Sequence, residues 1–189
     1  LEQKERTDEA LLAATAKADR LLNEIEEMVA MNCTAVDIAY SPNDLYRLKR
    51  EGKKAIMLGI ENGYAIGKDL SRVAHFRKRG VVYMTLCHNG NNDICGSARY
   101  NEENLGVTPF GEQVIQEMNR LGMMVDLSHS GERTFYETLD ISSQPVVCSH
   151  SSSRALCDHP RNLTDDQLRA IARKGGVVQV CLYSGFLRK

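Results

Sequence analysis

The chain has 189 residues, 42% hydrophobic and 26% charged, enough to bury the core of one domain. Its formal net charge is −1, so it has no basic excess with which to displace counterions from a nucleic-acid backbone. No apolar run approaches the ~18–20 residues that a membrane-spanning helix needs.

The start, Leu1-Glu2-Gln3-Lys4-Glu5-Arg6, is polar and carries neither an initiator Met nor a signal-peptide core. The expectation is a processed or cut piece of a longer protein, with localisation unassigned. From about Asp8 to Val29, Leu11, Ala14, Ala18, Leu21, Ile25 and Met28 recur at helical spacing. Ser41-Pro42 opens a short second helix, with Gly52 beyond its end. The apolar run Ala55–Ile60 reads as a buried strand leading to Glu61-Asn62-Gly63. A helix over Leu70–Arg79, ending in the basic cluster Arg77-Lys78-Arg79, stops at Gly80. The strand Val81–Leu86 then leads to Cys87-His88-Asn89.

Thr108-Pro109 starts the next helix, with Phe110, Val114, Met118 and Leu121 on one face and Gly122 after it. Met123–Leu127 is a strand ending at Ser128-His129, and a helix follows Ser130. Pro145–Cys148 is a strand ending at Ser149-His150. Thr164-Asp165-Asp166-Gln167 is a capping-box pattern, Gly175-Gly176 closes that helix, and Val177–Tyr183 is the last strand. No repeat, low-complexity tract or linker interrupts the series, so residues 1–189 read as one domain.

Six cysteines occur without a CxxC pair, which argues against a zinc ribbon or a thioredoxin-type site. Cys148 and Cys181 sit in apolar runs and are expected to be small core residues. Spacing assigns neither disulfides nor a redox compartment.

Apolar strands alternating with helices imply a parallel α/β sheet buried on both faces. Two architectures fit, a doubly wound open sheet and a (β/α)8 barrel. No GxGxxG follows a strand, which weakens the dinucleotide-binding version of the first; five strands are too few to close the second.

Four strands end on residues of ligand or catalytic type: Glu61, His88, His129 and His150. Carboxyl ends of parallel strands converge on the active site, so these residues are expected at one mouth. Two imidazoles and a carboxylate suit zinc, which in catalytic sites keeps a water-bearing position open. Each residue alone has a plainer reading: a strand-end His as a structural hydrogen-bonding group, Glu61 as a cap or a partner of a lysine. Arg161, in the loop Asp158–Asn162, could grip a carboxylate or simply be solvated. Ser151-Ser152-Ser153 lacks a GxSxG elbow and reads as loop. His75 and His159 receive no role.

Three segments together resemble the membrane (renal) dipeptidase family. They are Gly59-Ile60-Glu61-Asn62-Gly63, the block from Thr108-Pro109-Phe110-Gly111 to Val125-Asp126-Leu127-Ser128-His129, and Pro145–Ser152 followed by Arg161-Asn162-Leu163. The resemblance spans about residues 55 to 185. It implies one catalytic domain built as a (β/α)8 TIM-like barrel, here partial and lacking the first and last strands. It also implies two zinc ions and hydrolysis of dipeptides, and a homodimer is compatible with it. By motif, Glu61 corresponds to the carboxylate bridging both zincs and His129 and His150 to the imidazoles on the second. His88 corresponds to the histidine on the substrate's peptide group, and Arg161 to the arginine near its carboxylate.

Three features depart from the family. No His-x-Asp occurs in the 189 residues to serve the first zinc, no strand-end Asp follows the last strand, and Asn62 stands where the family more often has Gly. An inactive or regulatory fragment, or a barrel amidohydrolase acting on a cyclic amide or lactam, are the competing readings.

Overall fold

The structure, a computed structural model, describes residues 5–188; the polar start Leu1–Lys4 lies outside them. Helix α1 (Asp8–Met31) is capped by Thr7, whose side chain accepts from the Ala10 amide. Its buried stripe is Leu11, Ala14, Ala18 and Leu22. The expected stripe drifts by a residue at its far end, leaving Leu21 and Met28 exposed. A period of 3.6 lets either of two neighbouring residues continue the stripe, and packing selects Leu22.

Strand β1 (Val36–Ile38) has no counterpart among the expected elements; at three residues it is too short for periodicity to mark. Helix α2 (Pro42–Arg50), capped by Ser41, crosses from it to β2 (Lys54–Ile56), which pairs parallel with β1. The run expected as one strand is thus divided at Met57. Its first half belongs to this small sheet, and its second half, β3 (Leu58–Glu61), opens a larger one.

That larger sheet contains β3, β4 (Val81–Thr85), β5 (Met124–Asp126), β6 (Val147–Cys148) and β7 (Val177–Val178), all parallel and neighbouring in chain order. A doubly wound sheet reverses its strand order at a switch point; this one never does. The arrangement is therefore that of successive staves of a barrel, five of them among the described residues.

The crossover helices α3 (Ser71–Lys78), α4 (Pro109–Leu121), α5 (Glu132–Ile141) and α6 (Asp165–Arg173) return the chain to each next strand. The expected capping box of α6 is present, with Thr164 and Gln167 bonding each other's backbone. The main core lies between helices and sheet, where Ile60, Met84, Val125 and Cys148 meet Phe76, Met118, Phe135 and Ile171.

The alternate residues point to the other face. Gly59 stands opposite Tyr83 there, and a Cβ on it would lie 2.1 Å from the Tyr83 ring. Tyr83, Met124, Val147 and Val177 line an open cavity on that face.

The last strand stops five residues earlier than expected. Beyond Val178 the chain still follows Ser149–Ser152, through Gln179 N–H to the Cys148 carbonyl at 2.8 Å and Ser151 N–H to the Gln179 carbonyl at 3.1 Å. No further strand covers its outer edge among the described residues, so Val180, Leu182 and Tyr183 are exposed and Cys181 is only half-buried. The expectation of a core Cys181 is corrected, whereas Cys148 is fully buried. All six cysteines are free thiols.

Candidate metal centre

The strands end together and deliver Glu61, His88, His129 and His150 to one place. Glu61 closes β3, and the histidines follow β4, β5 and β6 by two or three residues. Among the described residues, one group of potential ligands converges: Glu61, His129 and His150. Glu61 Oε1 lies 3.1 Å from Nε2 of each imidazole, and the two Nε2 atoms lie 2.9 Å apart.

The other ring nitrogens are already engaged. His129 Nδ1 faces Asn89 Oδ1 at 3.2 Å, and His150 Nδ1 faces Ser149 Oγ at 2.7 Å. With protons on both Nδ1 atoms, each Nε2 carries a lone pair, and three electron-rich atoms crowd one point. Only a shared proton or a cation can hold them there. The donor set, two imidazoles and a carboxylate, suits a divalent transition metal.

Protonation preferences point the same way. Where a proton rather than a cation is shared at that point, N–H donation from the imidazoles to Oε1 holds the Glu61 carboxyl far below the usual carboxylate range. Burial pushes His129 down to about 4, against the pull of Glu61. At neutral pH the carboxylate is charged and His129 is neutral, the states in which both groups ligate metal.

A pH dependence follows. An unfolded histidine titrates near ~6.5 and the folded His129 near 4, so between these values the unfolded chain binds more protons. Stability contributed by neutral His129 is complete above the unfolded value and is lost as pH falls toward 4. Glu61, with its folded pKa depressed, loses stability in the same direction at lower pH. The metal-free protein should therefore lose up to ~3 kcal/mol between pH 7 and 4, read as a falling urea midpoint. A midpoint that holds or rises over that range would contradict a neutral His129.

Local backbone aims these side chains. His129 sits at φ +73°, and its carbonyl accepts from Ala98 N–H at 2.7 Å. Such a conformation costs a non-glycine residue of order 1–3 kcal/mol and persists only where the surroundings enforce it. Asn62, where the family more often has Gly, sits at φ +84°. Its side chain secures the turn by accepting from Tyr64 N–H at 3.1 Å and Asn92 Nδ2 at 3.0 Å. Asn is among the few residues that tolerate positive φ.

His88 lies alongside rather than within the ligand group. Its Nε2 is 3.9 Å from Glu61 Oε1, and its ring centroid is 4.2 Å from that of His129. Burial lowers its pKa, leaving it neutral at pH 7. Arg161 is 4% exposed and forms no ion pair with any described carboxylate. One guanidinium NH2 donates to the His150 carbonyl at 3.3 Å, the Phe186 ring lies 5.4 Å from Cζ, and Nε is buried without a partner among the described residues. Of the two readings open for Arg161, burial removes the solvated loop arginine. His75, at the end of α3, pairs with Asp19, and His159 stacks on Phe186 at 4.6 Å.

Three residues escaped the sequence reading. Asn89 and Ser149 hold the imidazoles, and Asp126 is fully buried beneath them. Parity could have found Asp126, which is two residues after Met124 on the open face of an otherwise apolar strand.

Comparison with known proteins gives this centre a family. The profile of the membrane dipeptidases, peptidase family M19, matches residues 2–189. The chain belongs to that family. Within it, an uncharacterized dipeptidase of Schizosaccharomyces pombe is 42% identical over 144 residues, covering 75% of this chain and 35% of that protein. Dipeptidase 3 of Mus musculus is 35% identical over 176 residues, covering 90% of this chain and 36% of its own length. The chain thus spans little more than a third of these curated relatives. Among solved structures, the probable dipeptidase PvdM from Pseudomonas aeruginosa superposes with a TM-score of 0.91 at 34% identity, over 96% of this chain and 47% of that one. A metallo peptidase from Rhodobacter sphaeroides, liganded with a phosphinate mimic of the dipeptide L-Ala-D-Ala, gives 0.85 at 27% identity, over 97% and 53%. Membership of this metallopeptidase family implies a metal cofactor and identifies the five staves as part of a TIM-like barrel.

Proposed function

We propose that the protein carrying this chain is a zinc-dependent dipeptidase, and that Glu61, His129 and His150 hold one of its zinc ions. The observation that carries the reading is the meeting of Glu61 Oε1 with two imidazole Nε2 atoms within 3.1 Å, in the protonation states that ligate metal. A dipeptide substrate is supported by the names of the relatives and by the dipeptide mimic on the Rhodobacter protein. Glu61 would also be available to a second zinc, whose other ligands would have to come from outside these 189 residues. The residues 1–189 then form part of a single catalytic domain.

When bound, the zinc pair supplies an activated water and polarises the scissile carbonyl. The chain's own residues do the rest. Glu61 would supply a carboxylate, and its negative charge, to the metal site. His88, neutral at pH 7 and beside Glu61, donates one N–H toward the oxygen on which charge develops. Arg161, with no described carboxylate beside it, would offer its guanidinium to the C-terminal carboxylate, which limits substrates to short peptides.

Removal of metal tests the reading. Dialysis of the full-length protein against a chelator should abolish dipeptide hydrolysis, and added zinc should restore it. Undiminished turnover by metal-free protein would sink the proposal.

A further inference from the structure

A buried carboxylate lies beneath the candidate metal centre. Asp126 is fully buried in the sheet, and its two oxygens divide their partners sharply. Oδ1 accepts two backbone N–H groups, from Ser128 at 3.0 Å and Ser149 at 2.9 Å. Oδ2 accepts two hydroxyls, Thr85 Oγ1 at 2.6 Å and Ser149 Oγ at 2.5 Å. Ser149 Oγ also lies 2.7 Å from His150 Nδ1. A hydroxyl has one proton to give. That of Ser149 is committed to Asp126, so toward the ring Ser149 can only accept.

We propose that Asp126 is a positioning residue that acts through Ser149 to keep the proton of His150 on Nδ1 and the lone pair on Nε2. The consequence for metal rests on the reading of the site given above; the hydrogen-bond network does not. Second-layer partners of this kind orient ligating imidazoles generally. Here the partition of donors makes a sharper statement possible. Backbone N–H groups cannot become acceptors, so in Asp126→Asn the amide oxygen must stay at the Oδ1 position. The NH2 group then occupies the Oδ2 position and donates to Thr85 and Ser149. Ser149 must turn its own proton toward His150 Nδ1. A neutral imidazole receiving it carries its proton on Nε2, the wrong face for a metal.

The test is a double-mutant cycle on zinc affinity, measured by chelator competition in the full-length protein. Asp126→Asn should weaken zinc binding roughly 10–100-fold. Ser149→Ala should weaken it less, and Ser149→Thr, which keeps the hydroxyl, should stay near wild type. Adding Ser149→Ala to Asp126→Asn should restore part of the lost affinity, because it removes the misdirected proton. A merely structural role predicts losses that add, and additive losses would overturn the proposal. If Asp126→Asn fails to fold, the Ala and Thr variants at Ser149 decide, since equal losses in both contradict it. The His150 Nδ1 proton, observed by ¹⁵N–¹H correlation in histidine-labelled protein, provides a readout independent of metal. A wild-type protein that binds no zinc would defeat the metal reading. The presence of that proton would still sustain the positioning role, and its absence would end it.

Discussion

Glu61→Gln should strip the full-length protein of zinc and reduce dipeptide turnover by at least ~10²–10³-fold, the scale on which single electrostatic groups act in active sites. The substitution preserves shape and removes one negative charge. Oε1 is the atom that meets all three histidines, 3.1 Å from His129 and His150 and 3.9 Å from His88. A neutral amide can still offer an oxygen, but it no longer offsets the charge of a divalent cation. Its NH2 group would also compete for an imidazole lone pair. The fold should survive, because the Glu61 side chain is 47% exposed and contributes little to the core. Loss of metal with retained thermal stability is therefore the expected signature. Glu61→Asp, with the charge kept and the oxygen withdrawn by one methylene, should fall between. Metal analysis and a dipeptide assay on the same preparations decide the matter. Near-normal zinc content with near-normal turnover would remove Glu61 from the site.

The meeting of the candidate ligands was legible in the sequence because each terminates or closely follows an apolar strand, and parallel topology makes strand ends coincide. Glu61, His129 and His150 need no knowledge of side-chain packing to be brought together. The groups that hold them were harder to read. Asp126 sits inside an otherwise apolar strand, and its partners on β4 and beyond β6 explain it. Asn89 and Ser149 are ordinary polar residues in loops until the imidazoles point at them. The residues alone leave Arg161 open between a carboxylate grip and a solvated loop. Its burial depends on Phe186, 25 residues later, and on the backbone of the His150 turn, which no local pattern encodes. The fold failed to read through where pairing rather than composition sets the element. The run over Ala55–Ile60 changes partners at Met57, and the run after Val178 lacks a second neighbour among the described residues. Both stretches are apolar enough for a longer strand. Hydrophobicity marks burial potential, but only a partner on the edge makes a strand.

Arg161→Met should raise the KM for dipeptides by about 10–100-fold, the loss of one or two charge-assisted hydrogen bonds, while leaving the protein as stable as before or more so. The two halves of this prediction share one cause. A guanidinium that is 4% exposed has given up its hydration, and burial lowers its pKa accordingly. Its charge meets no described carboxylate, and its contacts among the described residues are a carbonyl and an aromatic face. Methionine fills similar volume without the desolvation cost, so replacement of a buried unpaired charge should not destabilise the fold. A residue retained at such a disadvantage fits a group that gains its partner on binding, here the carboxylate of the substrate. The discriminating substrate is a C-terminally amidated dipeptide, which has no carboxylate to offer. Wild type should bind it about as poorly as Arg161→Met binds the free dipeptide, and the substitution should cost it little more. If the variant loses the same factor on both substrates, Arg161 acts on the backbone of His150 and not on the substrate. If it unfolds, the guanidinium is part of the core after all. Only the selective loss, with stability intact, fits an arginine held in reserve for the C-terminus of a peptide.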